Sequence, residues 1–149
     1  MEGIREAKEA DLESLLELYT YLGENPFPAD PESFRPVWEK LLQNPICHVF
    51  LAERDGRAVS SCTLLVVPNL THGGRPYALV ENVVTRPEYR RQGLGSAVLN
   101  AARDLAVREG CYKIMLLTGS KRQSTLDFYR RAGYRDDLKT GFCQTFPEK

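Results

Sequence analysis

Apolar residues return along this chain at two periods, and each change of period marks an element boundary. Residues 4–7 form a short apolar–polar run that reads as a first strand. Leu12, Leu15, Leu16, Tyr19 and Leu22 recur at helical spacing behind Asp11, a residue type that caps helices. Glycine and proline break the pattern over residues 23–28. Asp30-Pro31-Glu32 then supplies a cap, a proline in the first turn and an early acid, ahead of Phe34, Val37, Trp38, Leu41 and Leu42. Residues 48–54 and 58–67 read as two strands joined by an Asp55-Gly56 hairpin turn. After a polar loop at 69–76, residues 77–85 are apolar on both faces, as in a central strand. Leu94, Val98, Ala101, Ala102 and Leu105 give the buried stripe of a longer helix that Gly110 ends. Residues 113–118 predict a strand parallel to 77–85, reached by a right-handed crossover. A short helix at 123–132, stopped by Gly133, and a last strand at 142–146 complete the order. This succession predicts an α/β chain with a mixed sheet and helices on both faces.

The 149 residues show no repeat and no low-complexity tract, so a single domain over 1–149 is expected. An apolar share of 42% excludes a disordered or fibrous chain. Twenty basic residues balance twenty acidic ones, which gives no field for a nucleic-acid backbone. No apolar run is long enough to span a bilayer, and Met1-Glu2-Gly3-Ile4-Arg5 does not read as a signal peptide, so no membrane partner and a cytoplasmic location are expected. Cys47, Cys62, Cys111 and Cys143 form no C-x-x-C pair, and with His48 and His72 they complete no zinc set, so no metal is expected. Cys62 and Cys111 lie in apolar contexts and read as buried thiols.

Chemistry concentrates where the central strand ends. Val83-Val84-Thr85-Arg86-Pro87 leads into Arg90-Arg91-Gln92-Gly93-Leu94-Gly95-Ser96, and a helix starts at once. A helix start offers unpaired amides and a dipole that favours an anion. Glycines let such a backbone approach a phosphate closely, and Arg86, Arg90 and Arg91 add positive charge. The element reads as a pyrophosphate cradle. It is not a P-loop, since no Gly-Lys-Ser/Thr follows, and it lacks the third glycine of the dinucleotide fingerprint.

The run Arg90–Gly95 fits R/Q-x-x-G-x-G/A, and Phe128-Tyr129-Arg130-Arg131-Ala132-Gly133-Tyr134 lies downstream. Together these resemble the acetyl-CoA motifs of the GNAT N-acetyltransferase superfamily. The resemblance spans nearly the whole chain, with its specific motifs between residues 77 and 134. It implies the GNAT fold: a mostly antiparallel twisted sheet with helices on both faces and a splayed central parallel pair. It implies acetyl-CoA as co-substrate, a primary amine of a small molecule as acceptor, and direct transfer in a ternary complex. Members of the family often form homodimers. Alignment to the cradle makes Val83, Val84 and Thr85 the backbone that pairs with pantetheine. Arg90, Arg91, Gln92, Gly93, Leu94, Gly95 and Ser96 would hold the pyrophosphate, with Lys121, Arg122 and Ser124 before the last helix as further contacts or solvated surface. Tyr129 matches the family tyrosine whose hydroxyl approaches the CoA sulfur and can protonate it; by helical spacing alone it is a packing residue.

Glu81 is the odd residue of the central strand, because an acid there is unfavourable unless it is paired or functional. Strict alternation puts it on one face with Tyr77, Leu79 and Val83. Burial would raise the proton affinity of such a carboxylate towards neutrality, as suits a general base. A structural carboxylate paired with an arginine is the other reading. His72 lines an acceptor site or is a plain loop histidine. Val80–Val84 and Gly110–Ile114 look nearest to the glucosamine-6-phosphate N-acetyltransferase branch. That branch has Glu-Asp at Glu81-Asn82 and a basic residue in its final strand, and this chain has neither. Protein or peptide acetylation at an N-terminus or lysine, and a non-catalytic acetyl-CoA sensor, are the competing functions.

Overall fold

This computed structural model of the chain describes residues 3–148. Backbone packing divides it into two compact units, one ending at Leu116 and the other starting at Leu117. In the first unit β1 (Ile4–Glu6), β2 (Cys47–Arg54), β3 (Arg57–Val67), β4 (Tyr77–Thr85) and β5 (Ile114–Leu116) lie side by side in that order. Pairing is antiparallel from β1 to β4 and parallel between β4 and β5. The β2–β3 hairpin turns at Asp55 and Gly56, with φ 51° and 72°, the left-handed pair that a tight hairpin turn demands.

Helices α1 (Leu12–Tyr19) and α2 (Arg35–Gln43) cover one sheet face. There Leu12, Leu15, Leu18 and Trp38 pack with Val49, Leu51, Ala58 and Val84. Helix α3 (Leu94–Arg108) covers the other face, burying Leu94, Val98, Leu99, Ala102, Leu105 and Ala106. Cys62 of β3 sits beneath it and its thiol donates to the Val98 carbonyl at 3.4 Å. A fully buried leucine such as Leu99 contributes about 2 kcal/mol of transfer free energy. None of the helices described is long and apolar enough to cross a membrane.

Several local expectations change. Asp11 does not cap α1; its carboxylate accepts from Arg5 at 2.7 and 2.9 Å and from the Lys8 amide, and a 3-10 turn at Glu9–Asp11 precedes the helix. The Arg5 guanidinium, against the opposing effect of burial, holds the Asp11 carboxyl below the usual carboxylate range. The second helix likewise opens as a 3-10 turn, Pro31–Phe34, and Val37 faces solvent. The stripe of α3 uses Leu99 and Ala106 in place of the partly open Ala101. Cys62 is buried, which pushes its thiol up to about 12, whereas Cys111 is half-buried.

The second unit contains α4 (Gln123–Arg131), stopped at Gly133. The last strand expected at 142–146 does not form. The segment joins no sheet, and Phe142 and Phe146 are exposed. Strand propensity is realised only against a neighbouring strand that takes up the backbone hydrogen bonds, and no strand pairs with this segment among the described residues.

Candidate active site

The site begins with a defect in β4. Thr63 of β3 pairs with Glu81 and Ser61 pairs with Val84, so Cys62 stands opposite two residues, Asn82 and Val83. Asn82 adopts φ 52°, a left-handed conformation that asparagine tolerates better than most residues. This is a β-bulge, and one extra residue shifts the side-chain alternation by one. Glu81 therefore shares a face with Tyr77 and Leu79, as expected, but Val83 does not continue it. Val84 takes the place under α1 instead.

The same stretch loses its neighbour. β5 pairs only with Ala78, Leu79 and Val80, while β4 runs on to Thr85. Val83, Val84 and Thr85 thus keep β3 on one side and have no strand on the other among the described residues. The splay expected of the parallel pair lies here. Glu81 stands at the rim of that gap and is exposed, which overturns the expectation of a buried acid. It makes no ion pair with an arginine among the described residues.

Beyond Thr85 the chain makes a 3-10 turn, Pro87–Tyr89. Arg90 Nε donates back to the Thr85 carbonyl at 3.1 Å, and Gln92 Nε2 to the Glu88 carbonyl at 3.3 Å. Arg91 and Gly93 both turn left-handed, at φ 61° and 79°. Helix α3 then starts, with its first described amide bond from Ala97 to the Gly93 carbonyl. The amides of Leu94, Gly95 and Ser96 find no backbone acceptor among the described residues, which leaves an open helix N-terminus. The local sequence explains the shape from Thr85 to Ala97, since the three hydrogen bonds just named span five residues or fewer.

The three arginines separate. Arg86 is buried, donating to the Ala58 carbonyl at 3.0 Å and pairing with Glu17 at 2.9 Å, so it ties the turn to α1. Arg90 is committed to the turn. Arg91 is exposed and makes no hydrogen bond among the described residues.

A cavity of about 380 Å³ opens beside this helix start, lined by Gly93, Ser96, Ala97, Asn100, Ala101 and Asp104, with Ile4 of β1. The sequence reading found Gly93 and Ser96 and missed the rest. Their signal was present: positions 93, 96, 97, 100, 101 and 104 recur at helical spacing with small or polar side chains, opposite the buried stripe.

In the second unit Ser124 is exposed in the first turn of α4, and Lys121 is exposed before it. The Tyr129 ring is half-buried, edge-on to Phe128 at 5.0 Å and to Tyr134 at 6.3 Å. Packing of the ring, expected from helical spacing, is therefore present. His72 lies in the 69–76 loop at φ 54° and stacks on Tyr112, with ring centroids 3.7 Å apart. Among the described residues no group of His, Cys, Asp and Glu is placed to hold a metal ion.

The model of the acetyltransferase (GNAT) family matches residues 13–134, which takes in β4, the turn, α3 and α4. The chain belongs to the GNAT acetyltransferase family. Among its GNAT relatives is the glucosamine 6-phosphate N-acetyltransferase of Trypanosoma brucei brucei, 34% identical over 132 residues that cover 89% of this chain and 88% of the relative. The aminoalkylphosphonate N-acetyltransferase of Salmonella typhimurium is 30% identical over 132 residues, covering 89% of this chain and 84% of the relative. A solved structure from Agrobacterium tumefaciens str. C58 superposes with a TM-score of 0.90 at 40% identity, over 96% of this chain and 99% of that one.

Proposed function

We propose that this GNAT acetyltransferase moves the acetyl group of acetyl-CoA to the primary amine of a small molecule, by direct transfer with both substrates bound. The observation that carries the reading is the free edge at Val83–Thr85 running through a tight turn into the open N-terminus of α3. An extended, amide-containing chain suits a free strand edge, and a diphosphate suits a helix start. Acetyl-CoA presents these two features in that order. Its thioester supplies the activated acetyl group.

Val83, Val84 and Thr85 would bind pantetheine through their backbone. Arg90 to Ser96 would hold the diphosphate, with Arg91 as the uncommitted charge and Ser124 as a further contact. Glu81, at the rim of the splay, takes a proton from the acceptor ammonium directly or through a water. The freed nitrogen attacks the thioester carbon, the carbon–sulfur bond breaks, the Tyr129 hydroxyl gives its proton to the leaving sulfur, and the second proton of the acylated nitrogen returns through water to the Tyr129 phenolate. The acceptors named for two relatives, glucosamine 6-phosphate and aminoalkylphosphonates, are small amines, which favours that class over a protein chain.

Calorimetry with acetyl-CoA, followed by thiol release across a panel of amines, tests the proposal. Binding with amine-dependent release is the expected result. An absence of binding removes the cofactor assignment, and binding without release on any amine points to the sensor function.

A further inference from the structure

The face that carries Glu81 continues past it along β3, β4 and β5 as a run of half-buried residues. Directly paired residues of neighbouring strands share a face, so Thr63 and Glu81, Leu65 and Leu79, and Val67 and Tyr77 stand side by side, with Met115 of β5 next to Leu79. The apolar cluster under α1 and α2 includes Val84 but none of Leu65, Val67, Tyr77 or Leu79. These four and Met115 are half-buried, whereas Leu64, Ala78 and Val80 on the opposite face are closed beneath α3. The strip is apolar and partly open to solvent.

Its two ends carry opposite charge. Glu81 is exposed at one end. At the other, the Lys113 ammonium lies 5.7 Å from the Tyr77 ring centroid and 5.2 Å from that of Tyr112. Lys113 pairs with no carboxylate among the described residues. Aromatic faces hold a cation without neutralising it, so this ammonium is positioned and still lacks a counter-ion. The ledge around it is fixed in advance. His72 stacks on Tyr112, and Arg75 donates to the Gly110 and Cys111 carbonyls, both at 3.0 Å, on the segment that leads to Tyr112. Asn69 Nδ2 donates to the Thr71 and Arg75 carbonyls and holds the loop that keeps His72 left-handed.

We propose that this strip seats the acetyl acceptor, and that Lys113 selects acceptors carrying an anionic group at the end remote from the amine. The proposal rests on the amine N-acetyltransferase reading, which sets the amine beside Glu81. Four residues of strand separate Glu81 from Tyr77, about 13 Å along β4. The ligand class is therefore an elongated ω-amine whose apolar middle lies over Leu65, Leu79 and Met115 and whose far end is a phosphate, phosphonate or carboxylate.

The test uses the whole chain and three matched series of rising length: ω-aminoalkylphosphonates, ω-aminoalkanoates and ω-amino alcohols. Binding is read by calorimetry and acetylation by thiol release, in the wild type and in Lys113→Met and Lys113→Arg. The wild type should bind the longer anionic amines at least about tenfold more tightly than the matched alcohols, the scale of one charge-assisted hydrogen bond. Lys113→Met should collapse that ratio towards one through Kd and KM, with the KM for acetyl-CoA unmoved, and Lys113→Arg should keep most of it. Comparing the phosphonate and carboxylate series tells which anion is read. Equal affinity for anionic and neutral amines in the wild type overturns the proposal, as does a ratio that survives in Lys113→Met. Lys113-dependent binding with no turnover on any series would leave the anion site standing and remove the transferase reading instead.

Discussion

The two halves of β4 are built differently, and Asn82 divides them. Before the bulge the strand is paired on both sides as far as Val80 and presents side chains to a face, with Glu81, paired to β3 alone, the last of them. After the bulge it is paired on one side only and presents backbone, at the edge of Val83–Thr85 and then at the amides of Leu94–Ser96. A side-chain site is sensitive to which atoms a residue carries. A backbone site is sensitive to whether the chain can keep its path. Substitutions on the two sides should therefore fail in separate measurements, turnover on one and acetyl-CoA affinity on the other.

The largest effect is expected at Glu81. Glu81→Gln keeps the shape and removes the base, so kcat should fall by roughly a hundred- to ten-thousand-fold with acetyl-CoA affinity retained. Stopped-flow or steady-state thiol release, with calorimetry alongside, reads both numbers. Wild-type turnover would return Glu81 to a structural role and erase the functional contrast within β4. Tyr129→Phe comes next. It removes one hydroxyl and keeps the ring that packs on Phe128 and Tyr134. A donor to the departing sulfur acts only in the transition state, so kcat should drop about a hundredfold while the Kd for acetyl-CoA holds. A tyrosine that only packs would show unchanged kcat.

The turn was legible from sequence and the final strand was not, and the reason is range. Arg90 reaches Thr85, Gln92 reaches Glu88 and Ala97 reaches Gly93, so the partners of the cradle are its own near neighbours and the motif carries its shape with it. Residues 142–146 have a strand's composition, but a strand needs a remote edge, which no local pattern specifies. The bulge was hidden for a related reason. Asparagine is permitted at φ 52° but does not announce it, and alternation counted across Asn82 gives the wrong face for Val83. Glu81 stands out in the sequence as an acid in an apolar strand, while its exposure depends on where β5 stops, a fact of the sheet and not of β4. Asn100 and Asp104 line the cavity at helical spacing, but a polar stripe on a helix looks the same whether it borders a cavity or bulk solvent.

A smaller effect tests the backbone half. Gly93 sits at φ 79°, and a β-branched residue there costs roughly 1–2 kcal/mol in backbone conformation. Gly93→Val should weaken acetyl-CoA binding by about tenfold or more, since the turn either relaxes out of shape or crowds the phosphate. Gly95 lies within α3 and is free of that backbone demand, so Gly95→Val reports close approach alone. Unchanged calorimetric affinity in both variants would remove the cradle.

The smallest expected effect sharpens the boundary itself. Asn82→Val places a β-branched residue at φ 52° and should destabilise the fold by roughly 1–2 kcal/mol, whereas Asn82→Gly accepts the same conformation without that penalty. In a chain of this size such a change lowers Tm by a few degrees, which differential scanning calorimetry resolves. The kinetic consequence is more telling than the thermal one. If the valine variant irons out the bulge, the alternation after residue 81 reverts, Val84 leaves the cluster under α1, and the free edge is re-aimed together with the acid that precedes it. Turnover and acetyl-CoA affinity should then fall together in Asn82→Val and in no other variant named above, while Asn82→Gly preserves both. A valine variant that loses a few degrees of Tm but keeps both functions would show that the bulge is tolerated without being used, and that the two halves of β4 are set by β5 ending at Leu116 alone.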